Sequence, residues 1–236
     1  MIEVEGAPSD RVHTVLYGIE PNSVTESAIA QARATLRTSL GLEADATLLG
    51  MACRLTEQKG ISYALQAFAQ IKEDHPNTFL VIAGDGPLRE ELEATAQQYG
   101  LAQHVFFLGW RDDVPQLIQG LDLFLMPSLW EGFGLVLLEA MQARLPIVAS
   151  AVSAIPQIVV DGETGLLVQP RDVYGLVAAI RTLLADSDQS HEMGQRGAER
   201  VRTHFSAERM AEETLTVYRR YVPRVLNTGK RKVTIN

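Results

Sequence analysis

The sequence predicts an α/β protein, a doubly wound, Rossmann-like parallel sheet of about six strands with helices on both faces. Three observations predict it. Six short runs between Ala46 and Val168 are apolar without alternation, as strands covered on both faces are. Each run is followed by a helical pattern, the βα repeat of a parallel sheet. The 236 residues, 46% hydrophobic and 21% charged, suffice for a core of that size.

The elements follow in order. "RVHTVLYGIE" reads as a short strand ending at Gly18. "SVTESAIAQARATLRTSLGL" reads as a helix capped by Ser23 or Thr25 and closed by Gly41. "ATLLGMAC" is the first sheet strand, and the next helix puts Ile61, Leu65, Phe68 and Ile71 on one face. "TFLVIAG" is a strand. The helix after it places Pro87 at its first position and Gly100 at its end. "HVFFLG", "LDLFLMPS", "PIVAS" and "TGLLVQP" are strands, with a short helix in "DVPQLIQG" and an oily one in "GLVLLEAM". Helices follow at "VYGLVAAIRTLLA", at Ser190 to His204 and at Ser206 to Val222. No repeat is present, and the basic tail "NTGKRKVTIN" lacks periodicity and is expected to be disordered.

Composition removes several function classes. A net charge of −8 argues against a nucleic-acid binder, which needs a basic face. No apolar run reaches the roughly 18 residues of a membrane span, and the first residues lack a signal-peptide pattern. The single cysteine, Cys53, excludes an internal disulfide and a cysteine zinc site. The five histidines show no pair at metal-ligand spacing, so no metal is expected. There is no Walker A loop, and "GDGPLR" fails the dinucleotide fingerprint because Arg89 stands where the third glycine belongs.

In a doubly wound sheet, ligands bind beyond the carboxyl ends of the strands. Those ends carry chemistry here. "CRLTEQKG" places Arg54 and Lys59 at a helix entrance, either as solvated loop cations or as a phosphate site. Gly84 and Gly86 permit a plain turn or the close approach of a ligand. Leu108 and Gly109 form a turn whose backbone could also face a flat ring. In "WEGFGLVLLEAM", Gly132, Phe133, Gly134, Leu135 and Val136 offer backbone N–H groups suited to phosphate or sugar oxygens. The same stretch sets a puzzle. From Leu135 to Met141 the helix is apolar on every side but one, reading as buried, yet it carries Glu139. A buried carboxylate needs a partner. Lys59 is one candidate, and a hydroxylated ligand is another, with Glu131 at the mouth nearer the ligand's outer end. A phosphate flanked by hydroxyls at both ends describes a nucleotide-sugar.

These residues, in this order, resemble the nucleotide-sugar-binding half of the B-type glycosyltransferases, most closely the retaining family 4, or group 1, enzymes. The resemblance spans about Val12 to Tyr221. It rests on the Glu-x7-Glu motif of Glu131 and Glu139, the Arg-x4-Lys loop of Arg54 and Lys59, and "VIAGDGPLREELE", "VFFLGW" and "DGETGLLVQP". It implies one half of a two-domain enzyme that transfers a sugar from a UDP-, GDP- or ADP-sugar with retention of configuration. In that picture Arg54, Lys59 and Glu131 are the catalytic group. Arg54 and Lys59 hold the diphosphate and stabilise the departing nucleotide without a metal or other cofactor. Glu131 accepts from the transferred sugar and Glu139 from the ribose. The amides from Gly132 to Val136 bind sugar and phosphate, Gly84 belongs to the donor site, and Leu108 and Gly109 lie near the base. The family's Gly-Gly-x-Pro-Glu is replaced by Ser153, Ala154 and Gln157.

The resemblance also implies an organisation. Residues 1–16 are expected to be a remnant of a preceding domain and crossover, 17–222 the nucleotide-sugar domain, and 223–236 the tail. An N-terminal acceptor domain, or a partner subunit, would complete the site, so the chain alone is expected to be inactive. The last helix is expected to expose Val217, Tyr218, Tyr221 and Val222, a face that could also form a homo-oligomer. A cytoplasmic location, peripheral to the membrane in the complete enzyme, is expected. A non-catalytic nucleotide-sugar-binding or regulatory module and a nucleotide-sugar 2-epimerase are the competing readings.

Overall fold

The computed structural model describes residues 12–20 and 24–221. Six parallel strands form one sheet: β1 (Thr47–Ala52), β2 (Thr78–Ala83), β3 (Val105–Gly109), β4 (Leu123–Met126), β5 (Ile147–Ser150) and β6 (Leu166–Val168). Their order is β3-β2-β1-β4-β5-β6, the doubly wound order. The order of the strands reverses between β1 and β4, the point beyond whose carboxyl ends doubly wound sheets bind ligands.

Alternate strand residues feed two cores. On one face Leu49, Met51, Leu80, Ile82 and Leu125 pack against α2 (Ile61–Asp74), α3 (Arg89–Gln98) and α7 (Val173–Ala185). The predicted face of α2, Ile61, Leu65, Phe68 and Ile71, is buried in this core. On the other face Leu48, Val81, Phe124, Met126 and Ile147 meet α1 (Glu26–Ser39), α4 (Val114–Gln119), α5 (Leu135–Gln142) and the short α6 (Ile155–Ile158). The long helix α8 (Ser187–His204) reaches both, with Met193 in the first core and Val201 in the second.

Several sequence expectations are corrected. Residues 12–18 form no strand. Ile19 makes a single bridge to Ser206, donating to the Phe205 carbonyl at 2.9 Å and accepting from Ala207 at 3.0 Å. Pro87 is not in α3: Leu88 N–H is drawn to the Leu55 carbonyl at 3.2 Å, and the helix starts at Arg89. The helix expected from Ser190 starts at Ser187, because Asp186 caps it by accepting from Gln189 at 2.9 Å. Thr25 is the cap of α1, accepting from Ala28 at 3.2 Å, while Ser23 lies outside the described residues. In α9 (Ala207–Tyr221) no residue is buried; Tyr218 and Tyr221 are exposed, Val217 is half-buried, and Val222 lies outside the described residues. The expected tail, 223–236, and residues 1–11 lie outside them too.

Candidate functional site

The loop after β1 and the loop after β4 are brought together by one close approach. Gly60 ends a 3₁₀ turn at Glu57–Lys59 and starts α2 in left-handed backbone (φ +64°). A Cβ there would lie 1.9 Å from the Pro127 carbonyl, so only glycine lets the two loops touch. Gln58 fastens them further. Its carbonyl accepts from Leu129 at 2.7 Å, and its side chain donates to the Trp130 carbonyl at 3.1 Å.

The consequence is an ion pair. Lys59 Nζ donates to Glu131 Oε2 at 2.5 Å, with the two side chains 17% and 10% exposed. Buried Ser128 donates to the same oxygen at 3.5 Å, and Gly132 N–H to Oε1 at 3.2 Å. Glu131's own N–H donates to Ser153 Oγ at 3.2 Å. Lys59 therefore pairs with Glu131, and the expected pairing with Glu139 is not present. Arg54, in the same loop, is exposed and its guanidinium has no partner among the described residues. Beneath the pair, burial pushes the Cys53 thiol up to about 12, against the pull of Lys59 and with a push from Glu131. A thiol so placed stays protonated and is no nucleophile.

After Glu131 the chain turns into α5 through Gly134 at φ +91°. The N–H groups of Phe133, Gly134, Leu135 and Val136 find no acceptor among the described residues. They are the open donors of a helix N-terminus, with its partial positive charge. The Phe133 ring is held between Tyr17 at 5.4 Å and buried Phe205 at 6.2 Å, which fixes the loop carrying those donors.

α5 is not buried all round. Leu137, Leu138, Ala140 and Met141 are inside, Leu135 is exposed, and Glu139 and Gln142 open to a groove shared with Pro115 and Gln119 of α4. Glu139 is half-buried and its carboxylate has no partner among the described residues. Desolvation alone raises its pKa.

Gly84 has an explanation within the protein. Its N–H donates to the Gly109 carbonyl at 2.7 Å, and a Cβ would lie 1.9 Å from the Cys53 carbonyl. The ends of β1, β2 and β3 are thus tied together, and the Gly84 N–H is already used. Leu108 is half-buried at the end of β3, and Gly109 turns the chain at φ +70°. Gln157 is exposed, and its carbonyl accepts from Arg200 of α8 at 2.8 Å. Sequence reasoning missed Gln58 as a latch and Ser128 and Ser153 as partners of Glu131. The one available signal was Ser153 in place of a glycine.

Residues 32–200 match the family model described as glycosyl transferases group 1. An uncharacterized glycosyltransferase of Methanocaldococcus jannaschii is 32% identical over 214 residues, which is 90% of this chain and 55% of that protein. The alpha-maltose-1-phosphate synthase of Mycolicibacterium smegmatis is 33% identical over 224 residues, 89% of this chain and 57% of that one. The solved HepE protein of Anabaena, in complex with UDP and glucose, matches with a TM-score of 0.74 at 28% identity, over 82% of this chain and 53% of its own. HepE has also been solved with UDP-glucose. The chain spans about half the length of the curated relatives it matches.

Proposed function

Because the chain belongs to the group 1 glycosyl transferases, we propose that it is the donor-binding domain of an enzyme that transfers a sugar from a nucleotide-sugar to an acceptor with retention of configuration. The observation that carries the reading is the Lys59–Glu131 pair beside the open N–H groups of Phe133 to Val136, at the carboxyl rim of the sheet.

In this reading the diphosphate takes Arg54, Lys59 and the open amides as its ligands. Lys59 leaves Glu131 in part to do so, which frees the carboxylate to accept from hydroxyls of the transferred sugar. As the bond from sugar to phosphate breaks, negative charge grows on the departing nucleotide. Arg54 and Lys59 stabilise it there, so the protein's own cations do the work that a metal would otherwise do. Glu139 accepts from the two ribose hydroxyls, and the backbone at Leu108 and Gly109 borders the base. The complexes of HepE with UDP and UDP-glucose favour uracil as that base. Acceptor groups would come from a preceding domain or a partner subunit, and the chain alone would bind donor without turning it over. The face of α9 with Leu215 and Tyr218 exposed suits that complementary piece or a second copy.

Calorimetric titration with UDP, GDP and ADP and their glucose, N-acetylglucosamine and mannose conjugates tests the reading. One base series should bind. Lys59→Ala and Glu139→Ala should each weaken it at least about ten-fold, the size of a lost charge-assisted bond. Binding unchanged in both variants would sink the site assignment.

A further inference from the structure

Ser153 stands just past β5 with φ at +51°, in the left-handed region that residues bearing a Cβ rarely adopt. The turn around it is held by neighbours. Ala151 donates to the Val168 carbonyl at 2.8 Å, Val152 to Ser150 at 2.9 Å, and Ile155 to Val152 at 3.0 Å. Strain of this kind persists where the surroundings over-determine it, and it gathers at functional sites. Here it aims a hydroxyl, because Ser153 Oγ accepts from the backbone N–H of Glu131 at 3.2 Å. A glycine would relieve the strain and lose that bond.

The place of the bond matters. Leu129 and Trp130, just before Glu131, are held by Gln58. Phe133, just after it, is held by the rings of Tyr17 and Phe205. Between these anchors the main chain of Glu131 has one tie to the rest of the described protein, the Ser153 hydroxyl. The Glu131 main chain therefore depends on Ser153 for its position, while its carboxylate is also held by Lys59, Ser128 and the Gly132 N–H; among the described residues Arg54 and the amides from Phe133 onward have no hydrogen bond to Ser153.

We infer that Ser153 is a positioning residue for the sugar end of the donor site, holding Glu131 where the transferred sugar meets its carboxylate. The inference rests on the donor-site reading above. It assigns a use to a departure from the family's glycine pattern, and it separates two parts of one ligand. The sugar depends on Ser153 through Glu131, and the diphosphate, held by Arg54 and the open amides as well as by Lys59, depends on it less.

Affinities of the wild-type chain, Ser153→Ala and Ser153→Gly are to be measured for a nucleoside diphosphate and its glucose conjugate. UDP and UDP-glucose come first, then whichever pair of the series above the wild type holds. Both variants should weaken the sugar conjugate about five-fold, the size of one neutral hydrogen bond, and hold the bare diphosphate within about two-fold. Ser153→Gly, free of the strain, should melt no lower than Ser153→Ala, so a loss common to both is not damage to the fold. Unchanged affinity for the conjugate, or an equal loss for the diphosphate, overturns the inference and leaves the donor site standing. A wild-type chain that binds no member of the series overturns the donor-site reading itself, and this inference with it.

Discussion

Glu139, in the proposed donor site, is a single carboxylate at which stability and binding would be coupled. Its pKa is raised from 4.5 by desolvation alone. In the folded state it holds its proton more tightly than in the unfolded chain. The folded state is therefore favoured below the unfolded value and loses that advantage as pH rises through the folded one. Glu139→Gln should melt higher than the wild type at pH 7 and close to it at pH 4, which thermal melts at the two pH values would check. The same substitution should weaken nucleotide binding roughly ten-fold or more, since a neutral amide accepts less strongly from hydroxyls than a carboxylate. A wild type no less stable than the variant at pH 7 would remove the case for a desolvated charge. The sequence named Lys59, Glu131 and Glu139 as site residues and left Lys59 as one of two candidate partners for Glu139, whereas the partner of Lys59 is Glu131. Both acids belong to one motif, and nothing in their spacing says which faces the neighbouring loop. The choice is made by the Gly60–Pro127 approach, a contact between backbones distant in the chain. The departure at Ser153 was visible, but its partner and those of Gln58 were illegible for a related reason, since they are main-chain groups of Leu129, Trp130 and Glu131.

At the scale of elements, continuous apolar runs marked all six strands, and caps and periodicity marked the long helices. One strand reading failed on pairing, and one helix went unread for its length. Residues 12–18 are strand-like in composition, but they join no strand of the sheet, and the Leu16 carbonyl accepts from Arg209 of α9 at 2.7 Å instead. The four residues of α6 are too few to show a period. What docks α1 was also unread. Arg37, 6% exposed, donates to Asp122 at 2.5 Å and to the carbonyls of Ala46 at 2.9 Å and Gly120 at 3.1 Å. Asp122 in turn accepts from Leu48 N–H at 2.7 Å, so the helix is bonded to the entrances of β1 and β4. Arg37→Ala strips Asp122 of its buried partner and leaves the more exposed Arg33 at 3.1 Å. It should cost about 3 kcal/mol in urea unfolding, in the range for a broken buried pair. A cost under about 1 kcal/mol would mean that Arg33 and water replace it.

For the whole molecule, the predicted doubly wound sheet is the observed one, and the rim where its order reverses carries the candidate site. No described helix is long and apolar enough to cross a membrane. One helix bears on how this architecture comes apart. α8 places Met193 in one core and Val201 in the other. It also grips the segment before β6, through Arg196 to the Glu163 carbonyl at 2.7 Å and Arg200 to Ile158 at 2.8 Å. Neither layer can melt without withdrawing a side chain that the other needs. The two cores should therefore fail together, in one calorimetric transition whose measured and van 't Hoff enthalpies agree. Met193→Ala and Val201→Ala should each lower its midpoint and leave it single, at about 2–4 kcal/mol for the methionine. A second transition in either variant would mean that the layers unfold separately. If they fail together, the chain is one cooperative folding unit.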